Sequence, residues 1–154
     1  MSERTAAVVT VSDRVSAGTA EDRSGPTAVA LLETIGLAVL EYRVIPDGVE
    51  SVASTLAEIA GTVDLVVTTG GTGLTPRDLT PEGTTAVIER EAPGLAEAMR
   101  SATFGKNPHG MLSRGVAGPA GGTLGVNLPG SVRGGQESLA VSLAGRGGGV
   151  GWLG

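Results

Sequence analysis

An α/β domain of three layers, with helices packed on both faces of a mostly parallel sheet, is the fold class this sequence predicts. Three observations carry it. Short runs at 5–11 and 63–69 are β-branched and nearly continuous in apolar residues, as strands buried on both faces are, and a further strand reads at 39–45. Between them, apolar residues recur at helical spacing. A chain of 154 residues with one Phe, one Tyr and one Trp needs an aliphatic core of Val, Leu, Ile and Ala, of a size that one domain buries.

Thr5 to Val11 reads as the first strand. Ser12 to Gly25 reads as a polar loop, and Pro26 suits the first position of a helix, where its missing N–H is one that a helix start leaves unbonded anyway. Val29, Leu32 and Ile35 give that helix its stripe, and Gly36 stops it. Val39 to Ile45 is a second strand, broken by Pro46-Asp47-Gly48, after which Val52, Leu56 and Ile59 repeat at helical spacing up to Gly61. With Val63 to Thr69 as third strand, the alternation asks for parallel pairing and right-handed crossovers. Thr80 takes the N-cap of a helix running to about Glu91. Pro81 is then its first residue, and Glu82 lies where a carboxylate suits the helix dipole. Another helix begins at Pro93, sets Leu95, Ala98, Met99 and Ala102 on one side, and ends near Gly105. Signals weaken from Lys106 to Gly122. Thr123 to Leu128 reads as a further strand, and Pro129-Gly130-Ser131 turns it towards a helix carrying Leu139, Val141 and Leu143. No internal repeat or linker divides the chain, so 1–154 is expected to be one domain. Its last ten residues, Gly145 to Gly154, are dominated by glycine. Each interior Gly costs a helix about 1 kcal/mol relative to Ala, so this tail is expected to be frayed or extended.

Composition excludes several classes. The absence of cysteine rules out disulfides and thiolate metal sites. With no long apolar run and no leader pattern, a soluble cytoplasmic protein is expected. A net charge of −5 argues against a general nucleic-acid binder, although local N–H groups, Arg and a divalent ion leave room for a small anionic ligand. No segment, Lys106 included, reads GxxxxGK[ST], and no Rossmann fingerprint is present. His109, the sole histidine, reads as a surface loop residue rather than a base.

The chemistry concentrates in Thr68-Thr69-Gly70-Gly71-Thr72-Gly73-Leu74-Thr75-Pro76-Arg77-Asp78-Leu79-Thr80-Pro81-Glu82, which sets a glycine turn, an Arg-Asp pair and a helix start directly after a strand. Ligands collect beyond the carboxyl ends of parallel strands. Gly70, Gly71 and Gly73 permit positive φ and close approach of N–H groups to an anion, and Thr72 and Thr75 add hydroxyls. Asp47 and Asp78 both follow apolar strands and so reach one sheet edge. Two carboxylates there can hold Mg²⁺ through oxygen and water; alternatively Asp47 only turns the chain with Gly48, and Asp78 only caps a nearby N–H. Ser12 and Asp13 either hydrogen-bond a ligand's polar edge or its phosphate surroundings, or form an ordinary turn. Arg14 and Arg77 pair with Asp13 and Asp78 or with a ligand anion, or are solvated surface charges. Ser131 either faces an anion together with Gly130 or simply caps the last helix, and Ser113 is a weaker candidate of the same kind.

Ser12-Asp13-Arg14, Ile45-Pro46-Asp47, the GGTG…RD.TPE run, Leu112-Ser113-Arg114 and Asn127-Leu128-Pro129-Gly130-Ser131 stand in one order along the chain. In that order and spacing the sequence resembles, over about residues 5 to 140, the molybdopterin-binding family: molybdopterin adenylyltransferases of the MogA/MoaB type and the gephyrin G domain. The resemblance implies the molybdopterin-binding fold and a role in molybdenum cofactor biosynthesis. The implied activity is a Mg²⁺-dependent nucleotidyl transfer that moves AMP from ATP to the terminal phosphate of molybdopterin and releases pyrophosphate. It implies Asp47 and Asp78 as the catalytic and metal-holding pair. Ser12, Asp13, Gly70, Gly71, Thr72, Gly73, Ser113, Pro129, Gly130 and Ser131 are the implied substrate contacts. The implied partners are molybdopterin, ATP, further copies of the chain in a trimer or hexamer, and a molybdenum-insertion protein, with neither nucleic acid nor membrane. MoaB-type relatives carry the alternative of a protein that binds pterin without catalysis, and the residues alone also admit a generic α/β binder of an anionic metabolite. The glycine-rich tail departs from the family pattern.

Overall fold

The structure, a computed structural model, describes residues 3–103 and 108–128. Among these, five strands form one sheet in the order β2-β1-β3-β5-β4, with β1 Thr5–Val11, β2 Ala38–Ile45, β3 Leu65–Thr69, β4 Ala117–Ala120 and β5 Thr123–Leu128. β1 pairs in parallel with β2 and β3, and β3 with β5; β4 alone runs antiparallel, against β5. The expected β1 and β5 coincide with the observed ones. β3 starts two residues later than expected, because Asp64 ties the entry to β3 against the start of β1. Its N–H donates to the Thr5 carbonyl at 3.1 Å and its carboxylate accepts the Thr5 N–H at 2.8 Å.

Alternate residues along the strands feed two cores. Ala6, Val8, Leu65, Val67, Leu124, Val126 and Leu128 pack with Ala28 and Leu32 of α2 (Ser24–Thr34) and Ala96 and Met99 of α5 (Pro93–Thr103). Ala7, Val9, Val11 and Val66 pack on the other face with Val52, Leu56 and Ile59 of α3 (Val49–Ile59). Helix, sheet and helix layers follow from this period-two alternation. Removing each buried Leu, Ile or Val from water contributes about 1.5–3 kcal/mol. No helix among the described residues is long and apolar enough to cross a membrane.

Several elements differ from expectation. The polar loop after β1 contains a helical turn, α1 (Asp13–Ser16), which the Ser12 hydroxyl caps by accepting the Val15 N–H at 3.2 Å. α2 begins at Ser24, making Pro26 its third residue, because the Asp22 carboxylate accepts the Gly25 N–H at 3.1 Å and starts the helix early. On α5 it is Ala96 that is fully buried, with Ala98 only half-buried. α4 (Thr80–Thr85) ends well before Glu91. The chain leaves it to lie along β4, with the Glu89 N–H on the Pro119 carbonyl at 2.8 Å and the Ala92 N–H on the Ala117 carbonyl at 2.7 Å. Thr80 is not the cap: it is fully buried, and its hydroxyl donates to the Gly70 carbonyl at 2.9 Å. The weak stretch before Gly122 holds a 3₁₀ turn, Pro108–Leu112, and β4, whose Ala-Gly-Pro-Ala sequence contains no strand former. Pro119 is tolerated because β4 is an edge strand. Gly105, Lys106, the Pro129-Gly130-Ser131 turn, the expected last helix and the glycine-rich tail lie outside the described residues.

Candidate active site

β1 sits between β2 and β3, so the loops leaving β1 and β3 diverge at their carboxyl ends and open a crevice, as switch points in such sheets do. A cleft of about 400 Å³ lies there, lined by Thr10, Ser12, Asp22, Ser24, Asp47, Thr69, Gly70, Gly71 and Asp78. That volume accommodates part of a nucleotide or pterin.

The glycine turn is held open by its own geometry. Gly70 and Gly71 have φ of +90° and +71°. A Cβ on Gly70 would lie 2.3 Å from the Val11 carbonyl oxygen, and one on Gly71 would lie 2.1 Å from Thr80 Oγ1 and 3.0 Å from Asp47 Oδ1. Only glycine fits either place. Gly73 lacks a positive φ, contrary to expectation, yet a Cβ there would come within 2.9 Å of Asp78 Oδ2. Arg114 clamps the turn from outside. Its N–H donates to the Thr72 carbonyl at 2.9 Å, Nε to Gly73 O at 2.9 Å and Nη2 to Asp78 O at 2.6 Å, while Nη1 meets Glu82 Oε2 at 2.6 Å. That pairing holds the Glu82 carboxyl below the usual range.

Asp13, Asp47 and Arg77 form a second unit. The Asp13 and Asp47 carboxylates accept each other's backbone N–H at 3.1 and 2.9 Å. Arg77 forks onto Asp13 with Nε to Oδ2 at 2.9 Å and Nη2 to Oδ1 at 3.1 Å, and also donates to the Asp47 carbonyl at 2.8 Å. Arg77 therefore serves Asp13, neither the adjacent Asp78 nor a free position, and Arg14 is not the partner of Asp13. The Arg77 hydrogen bond holds the Asp13 carboxyl below its usual value. Burial pushes Asp47 the other way, reinforced by the charges of Asp13 and Asp78 against its bond from the Asp13 N–H and the charge of Arg77.

Residues 7–145 match the family profile described as "Probable molybdopterin binding domain". The chain belongs to this family. It is 40% identical over 147 residues to a gephyrin of Dictyostelium discoideum, covering 88% of this chain but only 20% of that protein. It is also 40% identical over 139 residues to the molybdopterin adenylyltransferase of Escherichia coli K12, covering 86% and 70% respectively. Among solved structures it superposes on a MogA with a TM-score of 0.93 at 39% identity, covering 98% of this chain and 100% of that one.

In this molybdopterin-binding chain the expected site residues fall into three groups. Ser12, Asp47, Gly70, Gly71 and Asp78 line the cleft. Asp13, Thr72, Gly73 and Ser113 do not line it: Asp13 is tied to Arg77, Thr72 is buried, and Ser113 Oγ accepts the Gly115 N–H at 3.4 Å. Pro129, Gly130 and Ser131 lie outside the described residues. Asp78 Oδ2 accepts the Thr75 N–H at 3.0 Å and its hydroxyl at 2.8 Å, so the local turn and a ligand-facing role share one carboxylate.

A divalent ion is implied by the resemblance. No group of three or more His, Cys, Asp or Glu among the described residues could hold a metal by itself. Asp47 and Asp78, however, are two hard oxygen donors lining one cleft, with the charge of Asp78 felt at Asp47. That set suits Mg²⁺, which binds one or two carboxylates and takes its other ligands from phosphate and water.

Sequence reasoning missed the other wall. Thr10, Thr69, Asp22 and Ser24 line it, with Tyr42 behind. Thr10 and Thr69 looked like ordinary strand residues, and Asp22 and Ser24 like loop. Asp22 three residues before Gly25 is the spacing of a capping carboxylate and was the available signal.

Proposed function

We propose that this chain is a molybdopterin adenylyltransferase, transferring AMP from ATP to the terminal phosphate of molybdopterin in molybdenum cofactor biosynthesis. The observation that carries the reading is that Asp47 and Asp78 line the same cleft as the Gly70-Gly71 turn. Adenylyltransferase relatives at about 40% identity support it.

An oxygen of the molybdopterin phosphate attacks the α-phosphorus of ATP. A new P–O bond forms, the bond to the β-phosphate oxygen breaks, and pyrophosphate leaves with the electron pair. Because the attacking phosphate is already ionised at neutral pH, no general base is needed, and positioning dominates. The backbone of Gly70 and Gly71 approaches the phosphates without a Cβ in the way. Asp47 and Asp78 would hold Mg²⁺, which when bound offsets charge on the leaving group. Ser12 borders the turn with its hydroxyl, and Asp13 orients Arg77 and the Asp47 backbone.

Purified protein incubated with molybdopterin, ATP and Mg²⁺ should yield adenylylated molybdopterin and pyrophosphate, and Asp78→Ala should not. Tight pterin binding without product would replace this reading with a non-catalytic one. No pterin binding would leave a generic anion binder.

A further inference from the structure

Hydrogen bonds under the cleft link five side chains in one chain. Ser24 Oγ donates to Thr69 Oγ1 at 3.0 Å, Thr69 Oγ1 to Thr10 Oγ1 at 3.4 Å, and Thr10 Oγ1 to Asp22 Oδ2 at 2.7 Å; the Tyr42 hydroxyl donates to the same Asp22 oxygen. Thr10 and Thr69 are 3% and 1% exposed, so solvent offers them no substitute partner.

The direction of this chain is dictated from its Asp22 end. A carboxylate only accepts, and each hydroxyl owns one proton. Tyr42 remains a donor, since burial and then the Asp22 hydrogen bond push its pKa up to about 12. Thr10 gives its proton to Asp22 and has only a lone pair left for Thr69. Thr69 therefore gives its proton to Thr10 and accepts from Ser24. Ser24 Oγ, on the cleft wall, meets the ligand with lone pairs alone.

We propose that Ser24 is a specificity-determining residue that accepts a hydrogen bond from an N–H group of the ligand's heteroaromatic ring and discriminates against a carbonyl at that place. An anionic phosphate oxygen would face the same lone pairs and be disfavoured there. The proposal rests on the adenylyltransferase reading, which offers two sources of such a donor: the 6-amino group of adenine and the 2-amino group of a pterin.

Asp22→Asn supplies a test of the polarity itself. The Gly25 N–H bonds Asp22 Oδ1 at 3.1 Å and would keep the amide oxygen on that side, turning the NH₂ towards Thr10 and Tyr42. Thr10 then accepts there, its proton is released to Thr69 or to the Tyr42 oxygen, and Ser24 is no longer held as an acceptor alone.

The experiment measures the affinity of the wild type, Ser24→Ala and Asp22→Asn for two amino/carbonyl pairs, ATP against ITP and pterin against lumazine, with circular dichroism as a check on folding. Wild type should prefer the amino member of one pair by roughly tenfold, the worth of one hydrogen bond set against an unpaired acceptor. The pair that discriminates identifies the ring. Ser24→Ala should lose that preference, and Asp22→Asn should lose or invert it. Equal affinities within both pairs for the wild type, or a preference that persists in Ser24→Ala, would overturn the assignment. Binding of ATP and pterin without discrimination sinks this proposal alone; binding of neither sinks the functional reading beneath it as well.

Discussion

Asp13 and Asp47 hold each other through the backbone, each carboxylate accepting the other's N–H, at 2.9 Å from Asp13 N and 3.1 Å from Asp47 N. The pair fastens the carboxyl ends of β1 and β2, and it leaves Asp47 Oδ1 beside Gly71, where a Cβ would come within 3.0 Å. Burial and two neighbouring carboxylates raise the Asp47 pKa in the folded state. A carboxyl group raised in this way contributes stability below its unfolded pKa and loses that contribution as pH rises through the folded value. Above that value the wild type has lost it. Asp47→Asn keeps the acceptor for the Asp13 N–H and removes the charge. It should melt at a higher temperature than wild type at pH 7, with the gap closing towards pH 3, and should lower the transferase rate by about 10²-fold or more. Added Mg²⁺ should raise the melting point of wild type more than that of the variant. Identical melting curves at pH 7 would contradict the electrostatic account.

Arg77 acts through geometry. Its side chain is 61% exposed and that of Asp13 is 42% exposed, so solvent screens their ion pair and it contributes little to stability. The three bonds it makes nevertheless fix the loop that carries Asp78 against the β1 and β2 ends. Arg77→Ala should leave the unfolding midpoint nearly unchanged while cutting kcat/KM by about tenfold or more. Arg77→Lys should not restore activity, because a single ammonium cannot occupy the planar fork. A melting transition that falls in proportion to activity would show the residue to be merely structural. The lowered Asp13 pKa gives the opposite pH sign from Asp47: its contribution is present above the unfolded value and disappears as pH falls through the lowered one.

These two units also mark how far the sequence could be read. The positions of β1 and β3 were legible because their Val-rich runs report burial on both faces, and Gly36, Gly48, Gly61, Gly70 and Gly71 stood where positive φ was needed. β4 was not, since an edge strand of Ala-Gly-Pro-Ala takes its conformation from its partner and not from its own residues. The length of α4 was misread for a related reason: hydrogen bonds from Glu89 and Ala92 to β4 outweigh a pattern that would otherwise continue the helix. Asp47 and Asp78 were legible at strand ends. The pairing of Arg77 with Asp13, 64 residues apart, was not, because nothing local selects between Asp13 and Asp78.

Arg114 stands outside the cleft yet holds three carbonyls of the loop that follows Gly71, those of Thr72, Gly73 and Asp78. Truncating its side chain strands the Gly73 and Asp78 carbonyls and the Glu82 carboxylate, while its backbone N–H keeps the Thr72 carbonyl. Arg114→Ala should destabilise by about 1–3 kcal/mol in urea unfolding and lower activity further than stability alone explains. Glu82→Gln, which removes one exposed charge but keeps an acceptor, should cost less than about 1 kcal/mol. A double-mutant cycle over the two measures their coupling, and additive effects would mean that the carbonyl contacts, rather than the ion pair, carry the clamp.

Asn127, on β5 beside β3, is linked to the glycine turn through other side chains. Only 2% exposed, it donates to Thr68 Oγ1 and to Thr84 Oγ1, both at 2.9 Å, and accepts the Val116 N–H at 3.1 Å. Thr84 in turn donates to the Thr80 carbonyl at 2.8 Å, and the Thr80 hydroxyl donates to Gly70. A continuous polar path therefore joins β5 through α4 to the turn. Asn127→Ala leaves the Val116 N–H short of a side-chain acceptor and opens a void, and should cost about 2–4 kcal/mol. If the path also positions the turn, activity per folded molecule should fall as well, measured at a temperature where both proteins are fully folded. Full activity in the folded variant would confine Asn127 to stability and leave Arg114 as the group that sets the shape of the turn.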